Sequence, residues 1–170
     1  MKASIDRVQF LRGDLNGRRR SIRPPWARAE ALFTQHCERC DDCIPACPEQ
    51  IIVTGAGGFP QIDFSRGACL FCGECVKACR HEAFDVPAHF DMPAWQLDVR
   101  ITEQCLSRQG IVCRSCSDAC ESVAIRFRLK TGGRSLPVVN NERCNGCGEC
   151  LAVCPNQSIS ILPSQRECAA

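Results

Sequence analysis

The chain carries a short run of regularly spaced cysteines that returns along its length. From Cys37 to Pro48 the sequence reads CERCDDCIPACP, and from Cys144 to Pro155 it reads CNGCGECLAVCP with the same spacing. Two further sets lie between these runs and lack the final proline, and the first spacer of one of them is seven residues long. The four sets are Cys37, Cys40, Cys43 and Cys47; Cys69, Cys72, Cys75 and Cys79; Cys105, Cys113, Cys116 and Cys120; and Cys144, Cys147, Cys150 and Cys154.

This spacing predicts iron–sulfur clusters. The run C-x2-C-x2-C-x3-C-P is typical of bacterial [4Fe–4S] sites, where the first three cysteines hold one cluster and the fourth ligates the other cluster of a pair. Zinc is the main alternative, but zinc sites usually take two C-x2-C pairs and do not need the closing C-x3-C. We therefore predict four [4Fe–4S] clusters held by the sixteen cysteines of the sets. Because Cys105 is displaced, a labile site or a three-iron cluster in the third set stays open.

The total of 17 cysteines in 170 residues also argues for metal. So high a fraction in a secreted chain would indicate disulfides, which form in oxidising compartments. The first 26 residues, however, lack the apolar run of a secretory signal, and no transmembrane segment is expected anywhere. The sequence thus predicts a cytoplasmic protein whose reduced thiols bind metal. We interpret the remaining thiol, Cys168, as exposed and without function.

The two halves of the chain follow one order, with a strand, a glycine turn and a strand between two cysteine sets. In the first half these are residues 51–54, 55–58 and 60–63; in the second they are 124–128, 132–133 and 137–140. Short helices are expected at 73–79 and 148–154, and a short apolar run closes each half. This order predicts an α+β fold of two tandem bacterial-type [4Fe–4S] ferredoxin units.

The repeat also predicts how the sets pair. Set one should pair with set two and set three with set four, although a nested pairing of one with four and two with three stays open. The predicted organisation is a basic N-terminal arm (1–30), a first two-cluster unit (31–88), a linker (89–104), a second two-cluster unit (105–163) and a tail (164–170).

The arm has eight basic and three acidic residues, which suggests either a docking segment or a solvated tail. A helix is expected after Pro24 and Pro25, with Trp26, Ala29 and Phe33 packed on the first cysteine loop. Nothing indicates nucleic-acid binding. The three histidines are scattered, and the glycine run fits a hairpin turn better than a phosphate-binding loop. Neither feature indicates an enzyme with its own substrate pocket.

Five features together resemble the ferredoxin-type proteins encoded with periplasmic nitrate reductase, the NapF family. They are residues 22–26 (IRPPW), 36–40 (HCERC), 55–60 (GAGGFP), the stretched third set, and 144–148 (CNGCG). The resemblance implies a cytoplasmic accessory protein that assists maturation or activation of the catalytic subunit of that reductase, in its precursor form, before export. The alternative is a soluble polyferredoxin that carries electrons, or a relay subunit of a redox complex.

Overall fold

Short helices and short strands make up the part of the chain that the structure, a computed structural model, describes: residues 21–85 and 93–164. The helices are four to seven residues long, and the strands are three to five residues long. No helix in these two ranges has the length and apolar character needed to cross a membrane. Residues 1–20, which are most of the predicted arm, and residues 165–170 of the predicted tail, with Cys168, lie outside the described residues.

The first unit is built around one hairpin. Helix α1 (Glu30–His36) leads into the first cysteine set, and strands β1 (Ile52–Thr54) and β2 (Pro60–Ile62) pair antiparallel beyond it. The turn between them uses Gly57 and Gly58 at φ values of 72° and 79°, a backbone conformation that glycine adopts without strain. Helix α2 (Glu74–Ala78) then carries the end of the second cysteine set.

The second unit repeats this plan with longer strands. Its elements are β3 (Leu97–Ile101), α3 (Ser115–Asp118), β4 (Ile125–Leu129), β5 (Ser135–Val139), α4 (Glu149–Ala152) and β6 (Ile159–Pro163). Strands β4 and β5 form the central hairpin, while β3 and β6 pair antiparallel as a second two-stranded sheet. The predicted tandem α+β fold is confirmed.

The segment predicted as a linker, 89–104, differs from that prediction because it contains β3. Leu97 and Val99 are buried and alternate with more exposed residues, the two-residue period of a strand with one covered face. The first unit has a smaller counterpart, a single antiparallel bridge between Ala27 and Phe84. Each unit therefore begins with an extended segment before its first cysteine and pairs it with the segment after its last.

The helix predicted directly after Pro25 begins later, at Glu30. Trp26 has φ 58°, its N–H donates to Ala94 O (3.0 Å), and its carbonyl accepts the N–H of Asp85 (2.8 Å). Its backbone hydrogen bonds are therefore made to distant segments and not within a helix. Its side chain is nonetheless buried, as is that of Phe33 on α1. The predicted arm, 1–30, thus includes residues that pack within the first unit.

One continuous cluster of buried side chains extends through both units. Trp95 is half-buried against this cluster and makes edge-to-face contacts with Phe64 and Phe71, at centroid distances of 5.8 and 5.9 Å. Its indole N–H donates to Arg23 O at 2.9 Å. The aromatic contacts fix the two units against each other.

Candidate iron–sulfur sites

The structure gathers the cysteines of the four sets into four groups. Sites I, II and III each line one cavity. In site IV, burial and then the charge of neighbouring thiols raise the pKa of Cys150, and these neighbours are the other three cysteines of the site together with Cys116 of site III. Each group takes three cysteines from one set and one from the set with which the tandem arrangement pairs it. The groups are site I (Cys37, Cys40, Cys43, Cys79), site II (Cys69, Cys72, Cys75, Cys47), site III (Cys105, Cys113, Cys116, Cys154) and site IV (Cys144, Cys147, Cys150, Cys120).

In sets one, two and four, the residues on both sides of the second cysteine are left-handed. These two residues turn the backbone sharply on either side of the second cysteine. The turns allow the first three thiols of the set to face the same site. Glycine takes this conformation freely, whereas other residues take it only where the surrounding structure holds them there. The flanking pairs are Arg39 and Asp41, Phe71 and Gly73, and Gly146 and Gly148.

A further left-handed residue follows every set, three positions after the fourth cysteine. These residues are Gln50, Glu82, Val123 and Gln157, with φ between 46° and 52°. In three of the four turns, the N–H of this residue donates to the carbonyl of the fourth cysteine, at 3.0 to 3.2 Å. Sequence reasoning missed these turns, because their residue types do not favour positive φ, and a β-branched valine there is an outlier.

The irregular third set is completed by a folded spacer. Cys105 is buried and lines site III with Cys113, Cys116 and Cys154. The seven-residue spacer turns back on itself, and its buried Ser107 hydroxyl donates to Ser135 O on β5. Anchoring the spacer to the hairpin returns the displaced thiol to the group.

Burial raises the pKa of half of these sixteen thiols, which makes them reluctant to ionise without a cation. Burial and then neighbouring thiolates raise the pKa of four cysteines to about 12, and that of Cys116 to about 11. Because metal ligation needs the thiolate, iron held by such a group would supply the compensating positive charge. The four cysteines raised to about 12 are Cys43, Cys69, Cys75 and Cys150.

Two of the crossing cysteines instead receive hydrogen bonds that favour the thiolate. Burial raises the pKa of Cys154, but the hydroxyl and N–H of Ser158 outweigh it, and the net pKa lies below that of a free thiol. The Ser158 Oγ is 3.4 Å from Cys154 Sγ. In the same way Ser122 Oγ lies 3.5 Å from Cys120 Sγ, and the pKa of Cys120 is lowered against the effect of burial. Hydrogen bonds of this kind tune clusters through their ligands.

The donor set fits a [4Fe–4S] cluster. The four thiols of each of sites I to III line one open cavity. Within the two described ranges, no three His, Cys, Asp or Glu side chains lie in position for a single metal ion. Four soft thiolates around a wider space are the ligands of a cluster, which when bound accepts or gives up one electron.

Comparison with known families agrees with this geometry. Residues 36–84 and 111–158 each match the family described as "4Fe-4S dicluster domain". The fold and the grouped thiols therefore define a ferredoxin-type iron–sulfur protein with two dicluster domains in tandem.

The relatives narrow the class to one family. The chain is 44% identical over 160 residues to the ferredoxin-type protein NapF of Escherichia coli strain K12, which covers 94% of this chain and 96% of that protein. It is 40% identical over 168 residues to the NapF protein of Haemophilus influenzae, covering 93% and 94% of the two chains. The ferredoxin-type protein NapG of Escherichia coli is 32% identical over 162 residues, covering 84% and 70%. The chain belongs to the NapF family of ferredoxin-type proteins.

The two serine hydroxyls provide a matched test of cluster tuning. We expect Ser158→Ala to lower the reduction potential of a cluster bound at site III by about 40 mV, which corresponds to a hydrogen bond of about 1 kcal/mol to the reduced state. Ser122→Ala should lower the potential at site IV instead. Redox titration followed by EPR measures both. Equal potentials in both variants and the unaltered protein would contradict the tuning role of the hydroxyls.

Proposed function

We propose that the sixteen cysteines ligate four [4Fe–4S] clusters and that the protein assists maturation or activation of the catalytic subunit of periplasmic nitrate reductase. In this proposal it acts in the cytoplasm, on the precursor of that subunit and before export. It binds a protein client rather than nucleic acid, and it has no substrate pocket of its own.

The observation that carries the proposal is the likeness to NapF proteins over almost the whole chain. A likeness confined to the cysteine sets would support only a generic ferredoxin. Here it also takes in residues 22–26, whose Pro24 and Trp26 are buried against the first unit. The family's role is thus the best supported one for this chain.

Sites I and II offer a surface for exchange with a client. The side chains of Cys40 and Cys72 are exposed, whereas the third cysteines of the same sets, Cys43 and Cys75, are buried. A cluster at either site would have one edge at the protein surface and the other in the core. Such an edge suits electron transfer to a bound client or work on the client's own cluster.

The basic segment before the first unit is the proposed client contact, and truncation tests it. We expect a chain of residues 21–170 to keep its iron but to lose about tenfold or more in affinity for the precursor subunit. The reason is that Arg18, Arg19 and Arg20 are removed, while the buried and half-buried residues 22–28 remain. Anaerobic co-purification, with iron counted on both proteins, measures the change.

The matched control replaces the three arginines without shortening the chain. Changing all three to lysine keeps the charge and should keep binding, whereas changing all three to alanine should weaken it as the truncation does. Unchanged co-purification after truncation would count against the arm as the contact.

A second candidate, a soluble electron carrier, is favoured by the same exposed Cys40 and Cys72 edges. The two functions differ in whether the protein acts on the complete reductase or on its precursor. A carrier reduces a complete reductase at a useful rate, whereas a maturation factor binds the precursor, and its deletion leaves the reductase inactive and short of iron. Iron analysis of the reductase from a deletion strain separates them.

A further inference from the structure

The loop of site II and the loop of site IV are joined directly across the two units. The backbone N–H of Cys69 donates to the carbonyl of Cys147 at 2.8 Å. Cys69 belongs to site II in the first unit, and Cys147 belongs to site IV in the second unit. A hydrogen bond therefore connects the backbones of two proposed ligands of different clusters.

The packing around this hydrogen bond holds the two loops close. Gly148 follows Cys147, and a Cβ at that position would lie 2.0 Å from Cδ1 of Phe64. Two residues earlier, a Cβ on Gly146 would lie 3.1 Å from Leu97 and 3.4 Å from Trp95. Both glycines thus let the site IV loop approach the aromatic contact between the units more closely than any side chain would permit. Cys75 and Cys150, on the inner side of each loop, are buried.

From this contact we infer that the four clusters form a single row in the order I, II, IV, III, and that electrons cross between the units at the Cys69–Cys147 hydrogen bond. The inference rests on the proposed cluster sites but not on the maturation role. Within each unit, one cysteine already crosses from each set to the other site. The hydrogen bond connects site II of the first unit to site IV of the second unit. Sites II and IV therefore lie in the middle of the row, and sites I and III lie at its ends.

The transfer itself makes and breaks no covalent bond. A reduced cluster at site II gives one electron to an oxidised cluster at site IV, and no proton has to move. The path runs from Cys69 Sγ through Cβ, Cα and N–H to the carbonyl of Cys147, and on through its Cα and Cβ to Sγ. Electron transfer weakens steeply with separation and is carried better by bonded atoms than by gaps, so this path favours exchange between the middle sites.

Removing one end cluster tests the order by EPR of the dithionite-reduced holoprotein. Cys40→Ala should empty site I and lower the iron from about 16 to about 12 atoms per chain. If site II neighbours site IV, the remaining clusters stay magnetically coupled and no isolated signal is seen. A narrow, uncoupled signal of about one spin per chain would mean that site II has lost its only neighbour, and would overturn the order.

Cys72→Ala is the matched control, because the two cysteines occupy the same place in their sets and both are exposed. It should empty site II and isolate site I, so the narrow signal must appear. If Cys40→Ala loses further iron, Cys113→Ala, which empties site III at the other end of the row, provides the same test.

The unaltered chain provides a test without any substitution. The EPR spectrum of its reduced form should require four spins coupled in a row, and a spectrum that two independent pairs of spins reproduce would overturn the inference. An iron content well below 16 in the unaltered chain would instead contradict the proposed ligands.

Discussion

Removal of iron is expected to abolish the fold and with it the whole free energy of unfolding, about 5–15 kcal/mol for a domain of this size. Helices of four to seven residues are too short to be stable alone. The clusters would join segments distant in sequence, as Cys79 and Cys37 are joined at site I, and preformed metal sites are rare in unfolded chains. Far-UV circular dichroism and amide hydrogen exchange, before and after anaerobic oxidation with a chelator, measure the loss.

Two controls separate metal loss from chemical damage. Treatment with a thiol reductant alone should leave the exchange pattern of the holoprotein unchanged. Addition of ferrous iron and sulfide to the stripped chain under reducing conditions should restore it. A stripped chain that still protected its strands and unfolded cooperatively would show that the apolar core suffices without clusters.

Gly148→Ala is expected to be strongly destabilising, by about 2–5 kcal/mol. Part of the loss comes from placing a side chain at φ 89°, which costs about 1–2 kcal/mol. The larger part comes from the new methyl group, which would overlap the Phe64 ring unless the two units moved apart. The midpoint of anaerobic thermal unfolding and the iron content of the purified protein measure the effect.

Gly110→Ala is the matched control, because Gly110 has φ 90° and a Cβ added there would meet no atom within 4 Å. It carries the backbone cost without the overlap, so it should lose no more than about 2 kcal/mol. Adding Phe64→Leu to Gly148→Ala should recover part of the stability by making room for the methyl group. Equal losses in the two glycine variants would contradict the role given to the contact with Phe64.

The sequence predicted the fold class because its strongest signals are local. Cysteine spacing identified the loops, and glycine turns between apolar runs identified both hairpins. Strand β3 was missed because its partner, β6, lies about 60 residues away, and pairing over that distance leaves no mark in a local pattern. The prediction that the helix begins directly after Pro25 was wrong for a related reason. The backbone of Trp26 forms hydrogen bonds with Ala94 and Asp85, neither of which lies near it in the chain.

For the site, the sequence predicted which cysteines belong together, and the structure groups the same residues. Their role as cluster ligands stays a prediction. The left-handed residues at Gln50, Glu82, Val123 and Gln157 could not be predicted, since the turn is imposed by the surrounding loop and not by the residue type. Nor could the Cys69–Cys147 contact, because it depends on how Phe64 and Trp95 pack between units that look independent in sequence.

The turn that follows all four cysteine sets divides each unit into two equivalent quarters. A quarter is an extended segment, a cysteine set, the left-handed turn and a second extended segment. In both units the opening segment of each quarter pairs with the closing segment of the other: Ala27 with Phe84 and β2 with β1, then β3 with β6 and β5 with β4. Each site likewise takes three thiols from one quarter and one from the other. This reciprocal exchange is what the duplication and fusion of a gene for a single quarter would leave behind. In such an ancestor two identical chains would have met as a symmetric dimer, each lending the other one strand and one ligand.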